Sequence, residues 1–377
     1  MSRAYLDHAS TSPLRPAALE AMLPYLREHY ADPGRLHHEG KVTRVAIEDA
    51  REQVANLVGA RPREVVFTSS GTEAINTAVW GAIARAEHSG HVVTSAVEHS
   101  AALDSIARAG VSTTVVGVDR LGRFDPDEIA AAIRDETVLV SIQLANHEVG
   151  TCQPAAEVCA IGRERGVLVH VDACAAVGHV PVSFRDLSAD LCSITGHKLG
   201  GPKGAAALLV RLGLRVPQFL VGGAQERARR GGIEDVAAIV GFGTACEELS
   251  HDDRLEHEAD AARRLTSRVV QCATAVTDVT HLGDPANRLP HLVCLGVGGV
   301  EAEPVLLALD QHGVAVHSGS SCSSEILEPS PVLAAMGVDA ERSLRVSVGW
   351  SSTEHDVDTF CDVFPDAVAK LRALRAS

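Results

Sequence analysis

Three short stretches of the sequence combine residue types able to act on one ligand, and a fourth carries an isolated thiol. Ser69-Ser70-Gly71-Thr72-Glu73-Ala74 follows the apolar run EVVFT and precedes a helical pattern. Unpaired N–H groups would gather there at the positive end of a helix dipole, where an anion binds; the same composition also suits an ordinary helix cap. In SITGHKLGGPKG (193–204), Lys198 stands just beyond a buried strand. An amine desolvated at such a place has a depressed pKa and can form a Schiff base with a carbonyl, and a solvated surface lysine is the plain alternative. In VLVHVDA (167–173), Asp172 closes an apolar strand. A carboxylate at the carboxyl edge of an open parallel sheet faces the ligand crevice and can stabilise a protonated ring nitrogen, unless it only caps the next helix. Cys322 lies in VHSGSSCSSEILEPS (316–330), among serines and a glycine that offer nothing to pack on, so its thiol is expected to be exposed.

Positioning such groups takes a sheet with loops at one edge, and the first two-thirds of the chain read that way. The β-rich runs EVVFT, HVVTS, TTVVGV, TVLVSI, VLVHVD and DLCSIT alternate with helical or loop-length inserts, the rhythm of a mostly parallel sheet covered by helices. One helix, over about 44–58, carries Ile47, Ala50, Val54 and Leu57 at three- and four-residue spacing. After about residue 250 a charged helix leads to HLVCLGV, a helix near 301–312, GVAVHSG and SLRVSVGW, the pattern of a smaller α+β unit. The last helix places Val357, Phe360, Phe364, Val368 and Leu371 on one face.

With 377 residues and 46% hydrophobic content the chain can form two or three domains with a sizeable core. Its net charge of −15 and the shortness of its densest basic patch, RARR at 227–230, exclude nucleic acid as an expected direct partner. No signal-peptide pattern and no apolar run of about 18 residues occurs, so neither export nor a membrane is expected and the reading is cytoplasmic. The nine cysteines are odd in number and lack a C-x-x-C pair. That argues against a disulfide framework or a metal cluster, and all but Cys322 are expected as buried core residues.

An anion site, an amine for a carbonyl and a carboxylate for a ring nitrogen together fit pyridoxal 5'-phosphate. At these residues the chain resembles the class V pyridoxal-phosphate enzymes, and most closely the cysteine desulfurases of the NifS and IscS type. The resemblance runs from YLDHASTSPLRP to SLRVSVGWSSTEHDVD. It implies an α/β type I fold: a large domain, 13–255, with a mostly parallel seven-stranded sheet, and a small domain, 1–12 and 256–377, carrying a cysteine loop. It assigns Gly71, Thr72, Thr195 and His197 to the cofactor phosphate, His99 to ring stacking, Asp172 to the pyridine nitrogen and Lys198 to the Schiff base. It also assigns Arg345 to the substrate carboxylate and Cys322, in GSSCSSEILEPS, to the persulfide. The activity implied is conversion of L-cysteine to L-alanine by a homodimer, with sulfur passed to an acceptor protein. Lys198 would remove the Cα proton and His99, titrating near neutrality, would shuttle protons.

Three departures from the family pattern fall on cofactor contacts. Asn146-His147-Glu148 stands for Asn-Asn-Glu, Ala175 stands for a glutamine, and Ile233 stands for a threonine that reaches the neighbouring subunit's phosphate. The resemblance leaves Asn146 with the substrate; either His147 donates the hydrogen bond that Ala175 cannot, or one polar contact to the cofactor is lost. Ala31-Asp32-Pro33 also replaces Gly-Asn-Pro. A cysteine or selenocysteine lyase that dispenses with Cys322, and a non-catalytic sulfur-delivery scaffold, are the alternatives. Iron–sulfur assembly, tRNA thiolation and thio-cofactor synthesis all draw on such enzymes, and the sequence selects none of them.

Overall fold

A computed structural model describes residues 3–318 and 329–376. Its strands, in chain order, are β1 (Ala4–Tyr5), β2 (Val65–Thr68), β3 (His91–Ser95), β4 (Ser112–Val116), β5 (Thr137–Gln143), β6 (Leu168–Asp172), β7 (Leu191–Thr195), β8 (Ala206–Val210), β9 (Val279–Leu282), β10 (Leu292–Val297), β11 (Val314–Ala315) and β12 (Ser343–Ser347). Seven of them form one sheet in the order β2-β8-β7-β6-β5-β3-β4. All neighbours are parallel except β8, which runs antiparallel to both β2 and β7. The fold is the α/β class read from the sequence. The run Ala206–Val210, absent from that reading of strands, supplies the seventh strand.

Strands in the middle of this sheet are covered on both faces, which is why β3 and β7 are buried along their whole length and read as continuous rather than alternating runs. β4, at the edge, is rich in threonine and largely exposed. The helix His38–Leu57 buries Ile47, Ala50 and Val54 and packs against the helix Val236–Ser250. It begins earlier than its apolar spacing predicts because His37 caps it, the ring Nδ1 accepting from Gly40 N at 3.2 Å.

β9, β10 and β12 make a separate antiparallel sheet in the order β12-β10-β9, and β1 pairs in parallel with β11. A second core lies between these strands and the helices Arg254–Thr274, Ala302–Gln311 and Glu354–Ala376. Phe360 and Phe364 stack there at 5.0 Å, fully buried with Val357 and Val368, in the stripe expected of the last helix. Side chains of this kind contribute about 1.5–3 kcal/mol each when removed from water.

The cysteine expectation needs correction. Cys159, Cys174, Cys192, Cys246 and Cys294 are buried, but Cys152 is only half-buried and Cys272 and Cys361 form a disulfide. That bridge joins the helices Arg254–Thr274 and Glu354–Ala376 at facing, half-buried positions 5.8 Å apart at Cα. An odd count says nothing about a single pair brought together by helix packing.

The basic patch is spent inside the chain. Arg227 pairs with Glu48, Arg229 donates to the carbonyls of Arg63 and Val65, and Arg230 pairs with Glu73 at 2.9 Å. No helix among the described residues is long and apolar enough to cross a membrane.

Candidate active site

The carboxyl ends of β2, β3, β5, β6 and β7 all point to one edge of the large sheet, since β8 reverses direction between β2 and β7. The chain leaves β3 outward to β4 and returns through β5 on the other side. That reversal of strand order opens a crevice at this edge, where ligands of α/β sheets bind. A cavity of about 250 Å³ lies there. A larger groove, of about 600 Å³, sits at the opposite edge of the sheet against Leu168, Asp190 and Arg211, and brings none of the expected groups together.

The turn after β2 separates capping from ligand binding. Ser70 caps the helix Gly71–Arg85, its Oγ accepting from Glu73 N at 3.1 Å, while Glu73 reaches back to Ser69 N at 2.8 Å. These two bonds satisfy the N–H groups of Glu73 and Ser69 and leave those of Gly71 and Thr72 without a partner among the described residues. Both residues line the cavity.

Asp172, the last residue of β6, is buried, and its Oδ1 accepts from Cys174 N at 2.9 Å. Lys198 lies in the turn after β7, which the N-terminal segment clamps: Ser12 N donates to His197 O at 2.9 Å and Arg15 N to Gly200 O at 2.8 Å. Desolvation lowers the Lys198 pKa, opposed by the nearby Cys174 and Asp172. Thr195 and His197 line the same space, and burial beside Lys198 pushes His197 down to about 4.

His99 caps the helix Ser100–Ala109, with Nδ1 accepting from Ala101 N at 3.0 Å. In the neutral ring the proton is therefore on Nε2. Burial, with His147 adding to it, drops the His99 pKa to about 4. This corrects the expectation of a near-neutral titration: above that pH His99 is an uncharged donor. The His147 ring meets it edge-on at 5.1 Å and approaches Glu148 with its Nε2 3.6 Å from Oε1.

Arg345, fully buried on β12, donates from Nη1 to His147 O at 2.9 Å and from Nη2 to Asp7 Oδ1 at 3.0 Å and Ser10 Oγ at 2.6 Å. Its Nε has no partner among the described residues. Three of the five N–H donors thus aim the guanidinium, and the Nε–H and the second N–H of Nη1 remain for a ligand.

One expected residue is not in this constellation. Asn146 is fully buried with its side chain spent on the scaffold, donating to Val97 O at 3.1 Å and accepting from Glu148 N and Val149 N, each at 2.8 Å. It shapes the turn that presents His147 rather than lining the cavity, since its amide oxygen takes both the Glu148 and Val149 N–H groups and its amide nitrogen shares Val97 O with Gln143 Nε2. Cys322 lies outside the described residues. The chain on either side is anchored at the site: His317 pairs with Arg345 through the main chain at 2.7 and 3.2 Å, and the Ser330 hydroxyl donates to Glu148.

Sequence reading missed Cys174, which lines the cavity beside Asp172 and Lys198; its position two residues past the strand-end aspartate was the available signal. It also missed Glu98, buried next to His99. Burial lifts the Glu98 carboxyl to about 8, although its bond with Ser95 Oγ and a main-chain bond at Gln143 oppose the shift. Ala175 lines the cavity, whereas Ile233 is 64% exposed on the surface. Asp32 forms a local turn, accepting from Gly34 N at 2.7 Å.

The family model for class-V aminotransferases matches residues 4–360. The chain is 41% identical to the protein named cysteine desulfurase IscS of Dictyoglomus turgidum, over 98% of this chain and 95% of that one. It is equally identical to the IscS of Methanosarcina thermophila, over 98% and 92%. Among solved structures it resembles a NifS-like protein with a TM-score of 0.92 at 30% identity, covering 98% of this chain and all of the other. It also resembles SspA, a structure in complex with cysteine, with a TM-score of 0.81 at 28% identity, covering 93% and 100%.

Proposed function

Since the chain belongs to the class-V aminotransferase family, among its cysteine desulfurases, we propose that it converts L-cysteine to L-alanine with pyridoxal 5'-phosphate and carries the sulfur on Cys322 to an acceptor protein. The observation that carries this reading is the meeting of the Lys198 amine, the Asp172 carboxylate and the free helix terminus at Gly71 and Thr72 in one cavity. Two further features fit the cofactor. Thr195 Oγ1 is buried with no hydrogen-bond partner among the described residues, as a hydroxyl that serves a phosphate oxygen would be. A Cβ at Gly71 would fall 2.8 Å from the Cys174 sulfur, so only glycine leaves this turn open.

When bound, pyridoxal phosphate supplies an electron sink that lets bonds at the substrate Cα break and loosens the sulfur one carbon further out. The chain's residues supply the rest. Gly71, Thr72, Thr195 and His197 hold the phosphate, and Asp172 holds the ring N–H. Lys198, its amine made less basic by burial, carries the cofactor and moves the proton at the substrate Cα. Neutral His99 stacks on the ring and offers its Nε2 proton. Arg345 holds the substrate carboxylate, and His147 supplies a contact to the cofactor that Ala175 cannot make. Cys322 attacks as thiolate, of which a free thiol provides only a few per cent at neutral pH. The substrate C–S bond breaks, an S–S bond forms at Cys322, and the alanine carbon takes up a proton.

We read the functional unit as a homodimer. Tyr30, Leu36, Val221 and Ile233 are 64–88% exposed; Arg44 ties the segments of Tyr30, Leu36 and Ile233 by donating to Pro33 O and pairing with Glu234, and Gly231 N donates to Leu220 O beside Val221. Apolar patches of this kind support an interface. The domain limits 13–255, and 1–12 with 256–377, belong to the same reading and are supported by the separation of the two main sheets. We assign the enzyme to the cytoplasm, where a carrier thiol stays reduced.

The test is spectroscopic and chemical. Purified protein supplied with pyridoxal phosphate should show a yellow Schiff-base band that Lys198→Ala lacks, and L-cysteine should load a persulfide that Cys322→Ala lacks. Sulfide release at the parental rate by Cys322→Ala would overturn the persulfide assignment.

A further inference from the structure

Lys198 lines two spaces. Besides the ligand cavity it borders a small chamber with about 20 Å³ of room for a water molecule, and among the described residues no other lines both. Its polar lining includes Ser12, the ion-paired Arg15 and Glu258, and two imidazoles. His179 and His291 stack nearly parallel, 14° apart, with ring centres at 3.4 Å. His179 comes from the turn after β6, and His291 immediately precedes β10, so the pair joins segments distant in sequence.

Their hydrogen bonding is incomplete. The His179 ring donates to the main-chain carbonyl of Lys198, which leaves Nε2 as an acceptor. That atom and His291 Nδ1 are buried without a partner among the described residues. The third histidine of this region, His8, is satisfied on both sides, by Ser12 Oγ at 2.9 Å and Ser352 Oγ at 3.1 Å. Protonating the unsatisfied pair is no remedy, since burial holds both pKa values far below the ordinary range and two cations cannot share a 3.4 Å stack. A water molecule is the remedy that fits. It gives one O–H to His179 Nε2, serves either tautomer of His291, and needs no more than about 10–15 Å³.

We propose that this chamber is a single-water site, and that His179, held by that water and by the stack on His291, is a positioning residue fixing the main chain of Lys198 and so the aim of its amine. The proposal rests on Lys198 as the cofactor-bearing lysine. It distinguishes two faces of one turn: the ligand cavity receives the amine, and the chamber holds the backbone from behind.

The experiment uses the full chain freed of cofactor, following pyridoxal phosphate capture by visible absorbance. His179→Leu, which removes the bond to Lys198, should capture about tenfold more slowly, as expected for one lost hydrogen bond of about 1.4 kcal/mol. His179→Asn, which keeps a donor, should recover most of the parental rate. His291→Phe keeps the stack but removes the acceptor, and its crystal structure should lack the water that the parent shows. A parent that captures the cofactor while His179→Leu captures equally fast overturns the proposal, as does a dry chamber in a high-resolution parent structure. A parent that captures none overturns the role of Lys198 instead.

Discussion

At the residue scale, the site is built from groups whose ordinary chemistry has been altered by commitment to the scaffold. Arg345 shows this most directly, with one Nη1 donor and both Nη2 donors spent on His147, Asp7 and Ser10, and Nε and the second Nη1 donor left over. A lysine there could not keep these contacts and also reach a carboxylate, since it has three donors on one atom. Arg345→Lys is therefore expected to raise KM for L-cysteine about ten- to a hundredfold, with a smaller change in kcat, read by steady-state kinetics. His99 is the second case. Because its Nδ1 accepts from Ala101 N and burial suppresses the charged form, nitrogen-resolved NMR of the cofactor-free protein should find the proton on Nε2 and a titration midpoint near pH 4. A midpoint near 6.5 would restore the near-neutral shuttle.

Among elements, the helix Gly71–Arg85 does the least expected work. Its cap spends Ser70 Oγ on Glu73 N and the Glu73 carboxylate on Ser69 N, and Arg230 fixes Glu73 from a distant loop, so the first two N–H groups stay available. Gly71→Ala would drive a Cβ to 2.8 Å from the Cys174 sulfur. The expected result is cofactor affinity lower by about tenfold or more, since overpacking costs about 1–3 kcal/mol. Cys174→Ala, by removing the obstructing sulfur, should restore much of that loss in the double variant. Equal losses in the single and double variants, measured by cofactor titration, would mean the clash is not the cause.

For the whole molecule, buried titratable groups set how stability follows pH. His8, His170 and His179 are buried, and desolvation first of all lowers them to about 4, about 4 and about 3. The unfolded chain protonates these rings near pH 6.5 while the folded chain does not, so stability is lost as pH falls from 6.5 toward 4. Each ring contributes about 1.4 kcal/mol per pH unit in that window. Glu98 has the opposite sign: raised to about 8, it holds a proton in the folded state that the unfolded chain loses above about 4.5, and its contribution fades as pH rises to 8. Urea-unfolding midpoints should peak near neutral pH, fall steeply on the acid side and more gently on the alkaline side. Glu98→Gln should flatten the alkaline limb and, by removing the opposing slope between about 4.5 and 6.5, steepen the acid limb there.

Local sequence determined the strand-end lysine and aspartate, the glycine turn and the alternating α/β plan, because strand burial, helix caps and turn residues are written in spans of a few residues. Whole motifs, through family resemblance, identified Arg345, His99 and the thiol at Cys322. Tertiary structure alone decided that β8 runs antiparallel, that Asn146 faces the scaffold while Cys174 faces the cavity, that His99 stays neutral, and that two histidines stack behind Lys198. These outcomes depend on which distant segments meet and on how far water is excluded where they meet. Residue spacing along the chain carries neither quantity.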